Sequence, residues 1–519
     1  MTPCRVSGGA LSISDDAALG DVAGGLTLAG GALQSTASFA TSRALTLAAG
    51  GGTVRTDAGT TLTWNGAISG SDLVKDGTGT LVLGGLNSYV GTTLVNAGTL
   101  RAGSANVLNA ASVHTVSAGA TLDLAGFNQS VAGVTNAGAV RLAGNRPGAV
   151  LTVTGPWVGQ GGTLALSTAL GNSSSASDRL LLNGVSAEAS GNTLVAVTNL
   201  GGLGGLTTGN GIEVVGTANG GSIQGQAFQL AGPVSAGAYD YQLPITAGGA
   251  YLSSSTTPPP VLPAPSPSVS PAPAPVGLPL YRVEVPLYAA LPEQLRQSNL
   301  AMVGNMHQRM GDDGAGSVRS TDAEQGRRQA WGRVLTVDRD IQQGGTVSPS
   351  SEGRLTAFQA GTELWADPNW RAGLYVGQLD GDMAVNGFAR GIPGYAAGRN
   401  DQKNEYLGGY LTYPTDNGLY VDGVLQAGRH RTTVDTLGAS LSAGSKGSSL
   451  LASLEVGQAF AIAPGWSLEP QLQLVHQSLS MDDGTIVGAL VQQDTPGNWA
   501  VRAGLRVQGE FTVATGTLQ

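Results

Sequence analysis

The hydrophobic pattern of the chain changes twice and predicts three regions. Residues 1–255 carry short apolar stretches separated by glycine-rich turns. From about residue 329 onward, polar and apolar side chains alternate over long stretches. Between these regions, Tyr281–Gly311 is the only segment that places its apolar residues at helical spacing. The pattern therefore predicts one helix between two β-regions.

The predicted helix has an apolar and a polar face. Its apolar positions are Leu291, Leu295, Met302, Met306 and Met310. The polar positions elsewhere on the wheel are Arg296, Gln297, Asn299, Asn305, His307 and Arg309. A lone helix of this kind between two β-regions must be covered by another element. We expect it to lie inside a membrane β-barrel.

The first region repeats a turn followed by a short strand. Ala-Gly steps begin at residues 58, 97, 118 and 137, which gives a period of about 20 residues if the first interval covers two repeats. Leucine-rich repeats share this period but contain helices, and this region lacks helix formers. A right-handed parallel β-helix explains the pattern better. At about 20 residues per coil and ~4.8 Å per coil, we expect about 12 coils and a rod of roughly 60 Å.

In the last region, polar and apolar side chains alternate as they do in membrane β-strands. Along Trp499–Phe511, one face carries Trp499, Val501, Ala503, Leu505, Val507 and Phe511, and the other carries Arg502, Arg506, Gln508 and Glu510. Trp466–Leu474 alternates in the same way. Arginine and glutamate in mid-strand suit a wet lumen behind a lipid-facing apolar wall better than a soluble core.

We predict eight such strands, and a membrane sheet must close into a ring to leave no free edge. They centre near Ala330–Val337, Arg354–Trp365, Trp370–Leu379, Asn404–Thr412, Leu419–Arg429, Leu450–Ile462, Trp466–Gln477 and Trp499–Thr512. Tryptophans near the strand starts predict an aromatic girdle at the membrane interface. These are Trp331, Trp370, Trp466 and Trp499.

The segment Thr256–Pro279 holds ten of the 24 prolines. Such a segment favours polyproline II and serves as a semi-rigid spacer. The alternative is a docking site for a proline-binding domain.

Composition supports β-structure and narrows the function. Charged residues make up 12% of the chain and glycine 81 of 519 residues. The formal charge of −9, without a Lys/Arg cluster, argues against a nucleic-acid partner. The single cysteine, Cys4, allows no intrachain disulfide. We find neither an apolar run of about 20 residues nor a signal peptide, so for an exported protein we expect further chain upstream. A cytoplasmic protein is the alternative.

No arrangement of residues predicts catalysis. His114 is the only histidine before residue 255, and no G-x-S-x-G word accompanies it, so we expect a structural histidine. His307, His430 and His476 form no zinc pair. Asp15-Asp16 and Asp482-Asp483 match no calcium loop, and Gly201–Gly205 matches no phosphate loop. We therefore predict no enzyme activity, no catalytic, cofactor-binding or metal-ligating residue, and no cofactor.

Within the first region, Leu62–Leu100 resembles the autotransporter-associated β-strand repeat. The matching words are Gly66-Ala-Ile-Ser-Gly70, Leu73-Val-Lys-Asp-Gly-Thr-Gly-Thr-Leu81 and Asn87-Ser-Tyr-Val-Gly91. Asp72 stands where the family usually has glycine. We expect the glycines at corners that need positive φ or close contact between coils.

Residues from about 152 to 252 resemble the pertactin-like end of an autotransporter passenger. The matching words are Asp178-Arg-Leu-Leu-Leu-Asn-Gly184, Thr208-Gly-Asn-Gly-Ile-Glu-Val-Val215, Phe228-Gln-Leu-Ala-Gly-Pro-Val234 and Gly237-Ala-Tyr-Asp-Tyr-Gln-Leu243. The resemblance implies a stable module that helps the rest of the rod to fold during export. We expect Phe228, Tyr239 and Tyr241 to form a cap rather than a ligand site.

The last region resembles the autotransporter translocator barrel. Ala330-Trp-Gly-Arg333 and Tyr406-Leu-Gly-Gly-Tyr410 carry this resemblance. The family barrel has twelve strands and a C-terminal aromatic residue, whereas this sequence ends with Gly516-Thr-Leu-Gln519. We therefore expect a barrel that is incomplete at its C-terminus.

Together these resemblances predict an all-β autotransporter of the type V secretion class. The predicted parts are passenger repeats over 1–151, a pertactin-like module over 152–255, a Pro-rich linker over 256–280, a pore helix over 281–312 and a partial barrel over 329–519. We expect the helix to plug the pore with its polar face against Arg502 and Arg506. Some family members cleave the passenger within this helix at an asparagine, and Asn299 and Asn305 leave that question open.

The resemblance implies a monomer in the outer membrane of a Gram-negative bacterium, with its passenger on the cell surface. The implied role is that of an adhesin or another virulence-associated surface factor. The alternative is a passenger hydrolase, a protease or esterase whose catalytic part lies outside this sequence. The implied partners are outer-membrane lipid, the outer-membrane assembly machinery, periplasmic chaperones and a host-cell receptor, but no nucleic acid.

Overall fold

A computed structural model of the chain describes residues 4–256, 277–310, 328–367, 369–438, 441–509, 511–513 and 516–518, without the side chains of residue 310 and of those past 509. It divides the chain into two compact units, Met1–Leu280 and Tyr281–Gln519. Most of the predicted Pro-rich linker, residues 257–276, lies outside the described residues.

The first unit is a parallel β-solenoid, as the 20-residue period predicts. Its first ladder contains Cys4–Val6, Leu26–Leu28, Leu45–Leu47 and Ile68–Gly70. A second contains Ala10–Ile13, Ala32–Ser35, Gly52–Thr56, Leu73–Asp76, Thr93–Val95, Val113–Val116, Gly133–Asn136, Trp157–Thr168, Glu188–Asn199 and Ser222–Ile223. Beside it stand Phe39–Thr41, Thr61–Trp64, Thr80–Leu83, Thr99–Ala102, Thr121–Asp123, Ala139–Arg141 and Phe228–Leu230. The last parallel ladder contains Gln129–Val131, Val150–Val153, Arg179–Asn183 and Ile212–Ala218.

The solenoid has fewer coils than the sequence predicts. Its second ladder contains ten strands within the described residues, not about twelve. The coils lengthen toward the end of the unit. Leu73 pairs with Thr93, 20 residues later, whereas Trp157 pairs with Ala189, 32 residues later. The early repeats therefore underestimate the residues that each late coil needs.

Apolar side chains stack in register through the solenoid. The stack that crosses five successive coils consists of Leu62, Leu81, Leu100, Leu122 and Val140. All five residues are fully buried. Burying a leucine or valine side chain contributes roughly 1.5–3 kcal/mol, so this alternation provides much of the stability of the solenoid.

Glycines of the repeat lie at tight corners, as expected. Gly70 has φ +106°, and a Cβ there would be 2.0 Å from the carbonyl oxygen of Leu47. At Gly66 a Cβ would be 1.8 Å from the carbonyl oxygen of Arg43. Gly70 is required both by its positive φ and by close contact with the neighbouring coil. Gly66 is required by the close contact alone.

Antiparallel strands close the far end of the solenoid. Gly249–Leu252 pairs antiparallel with Ile212–Ala218 and with Ile245–Thr246, and Val234–Ala236 forms a hairpin with Tyr239–Tyr241. Tyr241 is buried, and its hydroxyl donates to the carbonyl oxygen of Gly171 at 2.9 Å. Phe228 is also buried, with its ring centroid 6.3 Å from that of Trp157. These aromatics fill the end of the core, as the predicted cap requires.

The second unit is a half-barrel of antiparallel strands, each paired with the next. Its strands are Ala330–Gln342, Ser350–Ala366, Arg371–Ala389, Ile392–Pro414, Leu419–Thr436, Ser442–Gln458, Trp466–Met481 and Asn498–Gly509. Shorter strands are Phe460–Ala463, Gly484–Ile486, Ala489–Val491, Phe511–Val513 and Gly516–Leu518. All eight predicted strands are present.

Most strands are longer than predicted. The fourth covers 392–414 rather than 404–412, because backbone pairing continues through polar residues beyond the apolar stretch. Two predicted boundaries are wrong. Phe460–Ala463 is separate from the sixth strand, and the eighth strand ends at Gly509, so Phe511 belongs to another hairpin.

The predicted single helix over 281–311 is two helices. They are Glu284–Val303 and Met306–Met310. Gly304 adopts φ +56°, and its N–H donates to the carbonyl oxygen of Leu300, which ends the long helix. Among the described residues, no helix is both long enough and apolar enough to cross a bilayer.

Candidate functional site

The half-barrel reverses the burial pattern of a soluble sheet. Leu425 on the outer face is 56% exposed, whereas the adjacent Gln426 on the inner face is 1% exposed. The exposed outer residues include Val334, Phe358, Leu374, Val376, Leu407, Leu411, Leu450, Leu454, Leu472, Leu474, Val501, Leu505 and Val507. The buried polar residues include Ser351, Gln359, Asn400, Gln402, Asn404, Thr412, Asp422, Ser453, Gln473 and Gln477. An apolar exterior around a polar interior is typical of a membrane barrel.

Aromatic residues mark one end of the outer face. Trp365, Trp370, Tyr413 and Trp466 are exposed near the short strand connections, and the rings of Trp370 and Tyr413 are 4.7 Å apart. Trp331 does not join them, contrary to the prediction. Its indole N–H donates to the Tyr410 hydroxyl at 3.2 Å, and its ring packs on the inner cluster.

The long helix lies against the inner face through amide and hydroxyl groups. Gln294 donates to the Ser351 hydroxyl at 2.9 Å and accepts from Asn400 at 3.0 Å. Ser298 donates to the side-chain oxygen of Gln402 at 2.9 Å. Gln294 and Ser298 are buried. The buried face of the helix therefore mixes polar and apolar side chains, which the amphipathic pattern alone did not predict, whereas Glu293, Arg296 and Gln297 on the other face are only partly buried.

Arg502 and Arg506, which we expected against the polar face of the helix, lie close to acidic residues of the sheet. Arg502 lies 3.7 Å from a carboxylate oxygen of Glu455, and Arg506 lies 3.6 Å from one of Glu469. The arginines extend along the sheet toward acidic neighbours, because an inner face with fixed carboxylates offers them charged partners.

The short helix is held by an ion pair and by a hydrogen bond to a carboxylate. Arg309 pairs with Asp422, and both side chains are almost fully buried. A ring nitrogen of His307 lies 2.7 Å from a carboxylate oxygen of Glu469, which is the partner of Arg506. Amide and hydroxyl groups thus contact the long helix, whereas carboxylates bind the short helix after Gly304.

Asn299 lies in a dense cluster of polar groups. Its amide nitrogen donates to Gln477 at 3.2 Å, and its side-chain oxygen accepts from the Ser449 hydroxyl at 3.2 Å. Its backbone carbonyl oxygen accepts from the Gln426 side chain at 3.2 Å. Ser449 also lies 2.8 Å from a ring nitrogen of His430. The cluster fixes the Asn299 side chain and polarises its own carbonyl group.

The histidine considered for catalysis is part of the solenoid core. His114 is fully buried in register with Thr93, and Nδ1 lies 3.1 Å from the carbonyl oxygen of Ser112. Burial lowers its pKa to about 4. A general base needs access to substrate, so this geometry does not support a hydrolase triad around His114.

Residues of the two acidic pairs that were considered as calcium ligands make contacts within the protein. Asp15 caps the short helix Asp16–Leu19, and Asp16 binds buried Arg43 at 2.8 Å. The backbone N–H of Asp482 donates to the carbonyl oxygen of Lys446. Within the described ranges, no three His, Cys, Asp or Glu side chains are placed to hold a metal ion.

Sequence reasoning missed a buried lysine. Lys75 is fully buried in register with Val54 and Val95, and its ammonium donates to three backbone carbonyl oxygens. The distances are 2.7 Å to Asp76, 2.6 Å to Gly77 and 3.0 Å to Ala97. Burial lowers its pKa to about 8. The sequence could have predicted this burial, because the lysine of the repeat occupies an inward-facing position of an alternating strand.

Three family models match separate parts of the chain in order. They are described as Passenger-associated-transport-repeat over residues 73–102, Autochaperone Domain Type 1 over 130–243 and Autotransporter beta-domain over 330–519. The chain belongs to the autotransporter family. These matches agree with the resemblances seen in the solenoid and in the half-barrel. As in its family, the autotransporter described here is a protein of the Gram-negative outer membrane.

Curated relatives carry names of the same family. The adhesin BmaC autotransporter of Brucella suis biovar 1 (strain 1330) is 30% identical over 92% of this chain and 14% of its own length. The pertactin autotransporter of Bordetella bronchiseptica (strain ATCC BAA-588 / NCTC 13252 / RB50) is 29% identical over 28% of this chain and 15% of its own. The chain thus spans a small share of these relatives.

A crystal structure of the beta domain of the Bordetella autotransporter BrkA also matches. The two sequences are 25% identical, and the match covers 36% of this chain and 72% of the BrkA chain with a TM-score of 0.31.

Proposed function

We propose that this autotransporter anchors and displays its solenoid on the cell surface as an adhesive passenger. The observation that carries the proposal is the helix Glu284–Val303, which lies against a polar inner face behind a lipid-facing wall. A helix in that position carries the chain along the inner side of the wall. The half-barrel would then hold the chain in the membrane after the solenoid has passed outward.

The adhesive role is supported by a relative and by the solenoid surface. The relative aligned over most of this chain carries the name adhesin. The solenoid offers long, rigid ladders of outward side chains, which suit contact with a host-cell receptor. The described solenoid residues provide no accessible triad around His114, so a binding role is favoured over the hydrolase alternative.

Protease treatment of intact cells tests the display. The full chain is given an export signal and produced in a Gram-negative host, and the cells are treated with an external protease. We expect solenoid epitopes to be lost while a periplasmic marker protein survives. Solenoid epitopes that become accessible only after lysis would contradict the proposal.

Adhesion is measured separately from display. Cells displaying the chain should bind more host cells than cells displaying the half-barrel alone, and purified solenoid should compete for the binding. A hydrolase screen on the same purified solenoid tests the alternative. Ester or peptide hydrolysis by residues 1–255 would overturn the binding-only role.

A second candidate function is self-processing after Asn299, and the polar cluster supports it. The asparagine amide nitrogen would attack its own carbonyl carbon and close a succinimide ring. The bond to the Leu300 nitrogen would break, and that nitrogen would take up the proton lost by the amide. Water would then open the ring. The Gln426 side chain, 3.2 Å from the carbonyl oxygen, would stabilise the developing negative charge.

The processing site has a matched control in the same segment. Asn305 is not enclosed in this way, and its side-chain oxygen caps the short helix by accepting from the Gln308 N–H at 2.7 Å. We expect Asn299→Ala to abolish a fragment that begins at Leu300, whereas Asn305→Ala leaves it unchanged. Mass spectrometry of the new N-terminus decides the matter, and an unprocessed wild-type chain in intact cells would overturn this second candidate.

A further inference from the structure

The chain on the two sides of the Pro-rich segment is paired with itself. The Thr256 N–H donates to the Leu278 carbonyl oxygen at 2.8 Å, and the Leu278 N–H donates to the Thr256 hydroxyl at 2.9 Å. The Leu280 N–H donates to the Ser254 carbonyl oxygen at 2.8 Å. We call this paired structure, formed by residues 254–256 and 278–280, the clasp. The chain therefore leaves the clasp before the Pro-rich segment and returns to it afterwards.

The clasp belongs to the end of the solenoid. Ser254 is fully buried, its hydroxyl accepts from the Thr207 N–H at 2.8 Å, and its own N–H donates to the Thr207 hydroxyl at 2.9 Å. Leu280 is 2% exposed, and its carbonyl oxygen accepts from the Asp240 N–H at 2.9 Å. The first compact unit ends at Leu280 and the second begins at Tyr281. A pull that passes along the chain between the units therefore acts on Leu280 first.

This pull would open the clasp bond by bond. The two sides of the clasp run antiparallel, so Leu280 is opposite Ser254 at the end where the chain continues to Tyr281. The bonds of Leu280 carry the load before those of Leu278 do. Bonds that break one after another yield to a smaller force than bonds that must break together. Because Thr207 holds Ser254 from the other side, we expect the solenoid to stay folded while the clasp opens.

The length that an open clasp releases follows from the sequence. The chain continues for 24 residues after Thr256 up to and including Leu280. An extended residue spans at most about 3.3–3.6 Å, so opening lengthens the tether of the solenoid by roughly 80 Å. The Pro-rich segment thus adds reach only after the clasp has opened.

We propose that the clasp stores tether, opening when the displayed solenoid is pulled and forming again when the load falls. The inference rests on the proposed adhesive function, because adhesion supplies the load. A loaded copy lengthens before its contact with the host cell is lost. Neighbouring copies on the same cell then come to share the load.

The test pulls the full chain in optical tweezers after reconstitution into phospholipid nanodiscs. The handles are attached at Val185→Cys in the solenoid and Ile392→Cys in the half-barrel, two positions that are 86% and 51% exposed. Cys4→Ser leaves these as the only thiols. The length control is the same chain without residues 259–274. Circular dichroism and heat-modifiable gel mobility confirm that all the proteins are folded.

We expect a first reversible step of roughly 80 Å in contour length before the solenoid unfolds, and the length control should shorten this step by roughly 55 Å. Leu280→Ala removes a buried side chain, so the clasp should open at least about tenfold faster at a given load. Leu278→Ala is the matched control on the same strand. Leu278 is 50% exposed, and this variant should open within about twofold of the wild-type rate.

Three results would overturn the proposal. They are unfolding of the solenoid before any such step, a first step whose length does not change in the length control, and equal opening rates of the two leucine variants. The measurement is independent of display. A clasp that opens as expected in a chain whose solenoid is hidden in intact cells would refute the display role, and a displayed solenoid without the step would refute only the clasp.

Discussion

Lipid contact at the outer face of the half-barrel is best tested by placing a charge there. Leu425 is 56% exposed, and its strand neighbour Gly409 lies between the exposed residues Leu407 and Leu411. The position is therefore inside the apolar wall. In a soluble sheet, lysine at such an exposed position would change stability by no more than about 0.5 kcal/mol. In a bilayer, lysine near the midplane of a barrel costs about 2–4 kcal/mol.

The matched control introduces the same residue on the same face outside the wall. Ser448 is exposed and in register with Arg429, where the outer face is already charged. We expect Ser448→Lys to cost at most about 1 kcal/mol through repulsion from Arg429, and Leu425→Lys to lose roughly 30- to 700-fold in its folding equilibrium constant. Both substitutions add one positive charge, so a change in net charge cannot explain a difference in stability between the two variants.

The assay is urea unfolding of the full chain in phospholipid vesicles, followed by tryptophan fluorescence and heat-modifiable gel mobility. A Leu425→Lys variant within about 0.5 kcal/mol of Ser448→Lys would show that the outer face does not meet hydrocarbon. Repeating the titration in small detergent micelles should reduce the gap, because micelles adapt to a charge more readily than a bilayer does. An equal gap in both media would point to a packing defect instead of lipid contact.

Three further predictions concern other parts of the chain. The burial that lowers the pKa of Lys75 from 10.5 to about 8 destabilises the folded state below pH 8, so solenoid stability should rise by about 3 kcal/mol between pH 8 and 10.5. Hydrogen exchange measures whether the stability of the wild type rises with pH. The rise should be absent from the Lys75→Met variant. Asp422→Ala should cost about 3–5 kcal/mol by leaving a buried arginine unpaired, whereas Asp338→Ala in an exposed pair should unfold like the wild type; urea titrations compare them. Gly66→Ala should cost about 1–3 kcal/mol because the new Cβ meets a backbone oxygen at 1.8 Å, while Gly8→Ala, with open space, should melt like the wild type.

Periodicity predicted the architecture because the same contacts recur at fixed intervals. The stack from Leu62 to Val140 follows a repeat that is visible in the sequence, and the eight barrel strands follow a period of two. Boundaries were less predictable. The helix break at Gly304 depends on a single left-handed residue, and the long fourth strand depends on pairing with its neighbours.

The contacts of the lumen could not be read from the sequence. Asp422 binds a residue 113 positions earlier, and Gln426 reaches the Asn299 carbonyl across 127 positions. Alternation indicates that these side chains point inward, but the height of the helix inside the half-barrel decides which of them meet. For the same reason, the sequence did not predict that Arg502 and Arg506 lie close to Glu455 and Glu469.

The antiparallel closure of the solenoid has a consequence for self-association. A stack of parallel strands presents, at an uncovered end, a template that could accept strands of another molecule. Here Gly249–Leu252 runs opposite to Ile212–Ala218, and Tyr241 fills the space above the last coil. A second copy cannot continue the parallel register of the ladder that ends at Ile212–Ala218. Copies of the chain at high concentration should therefore not extend this ladder into cross-β fibres.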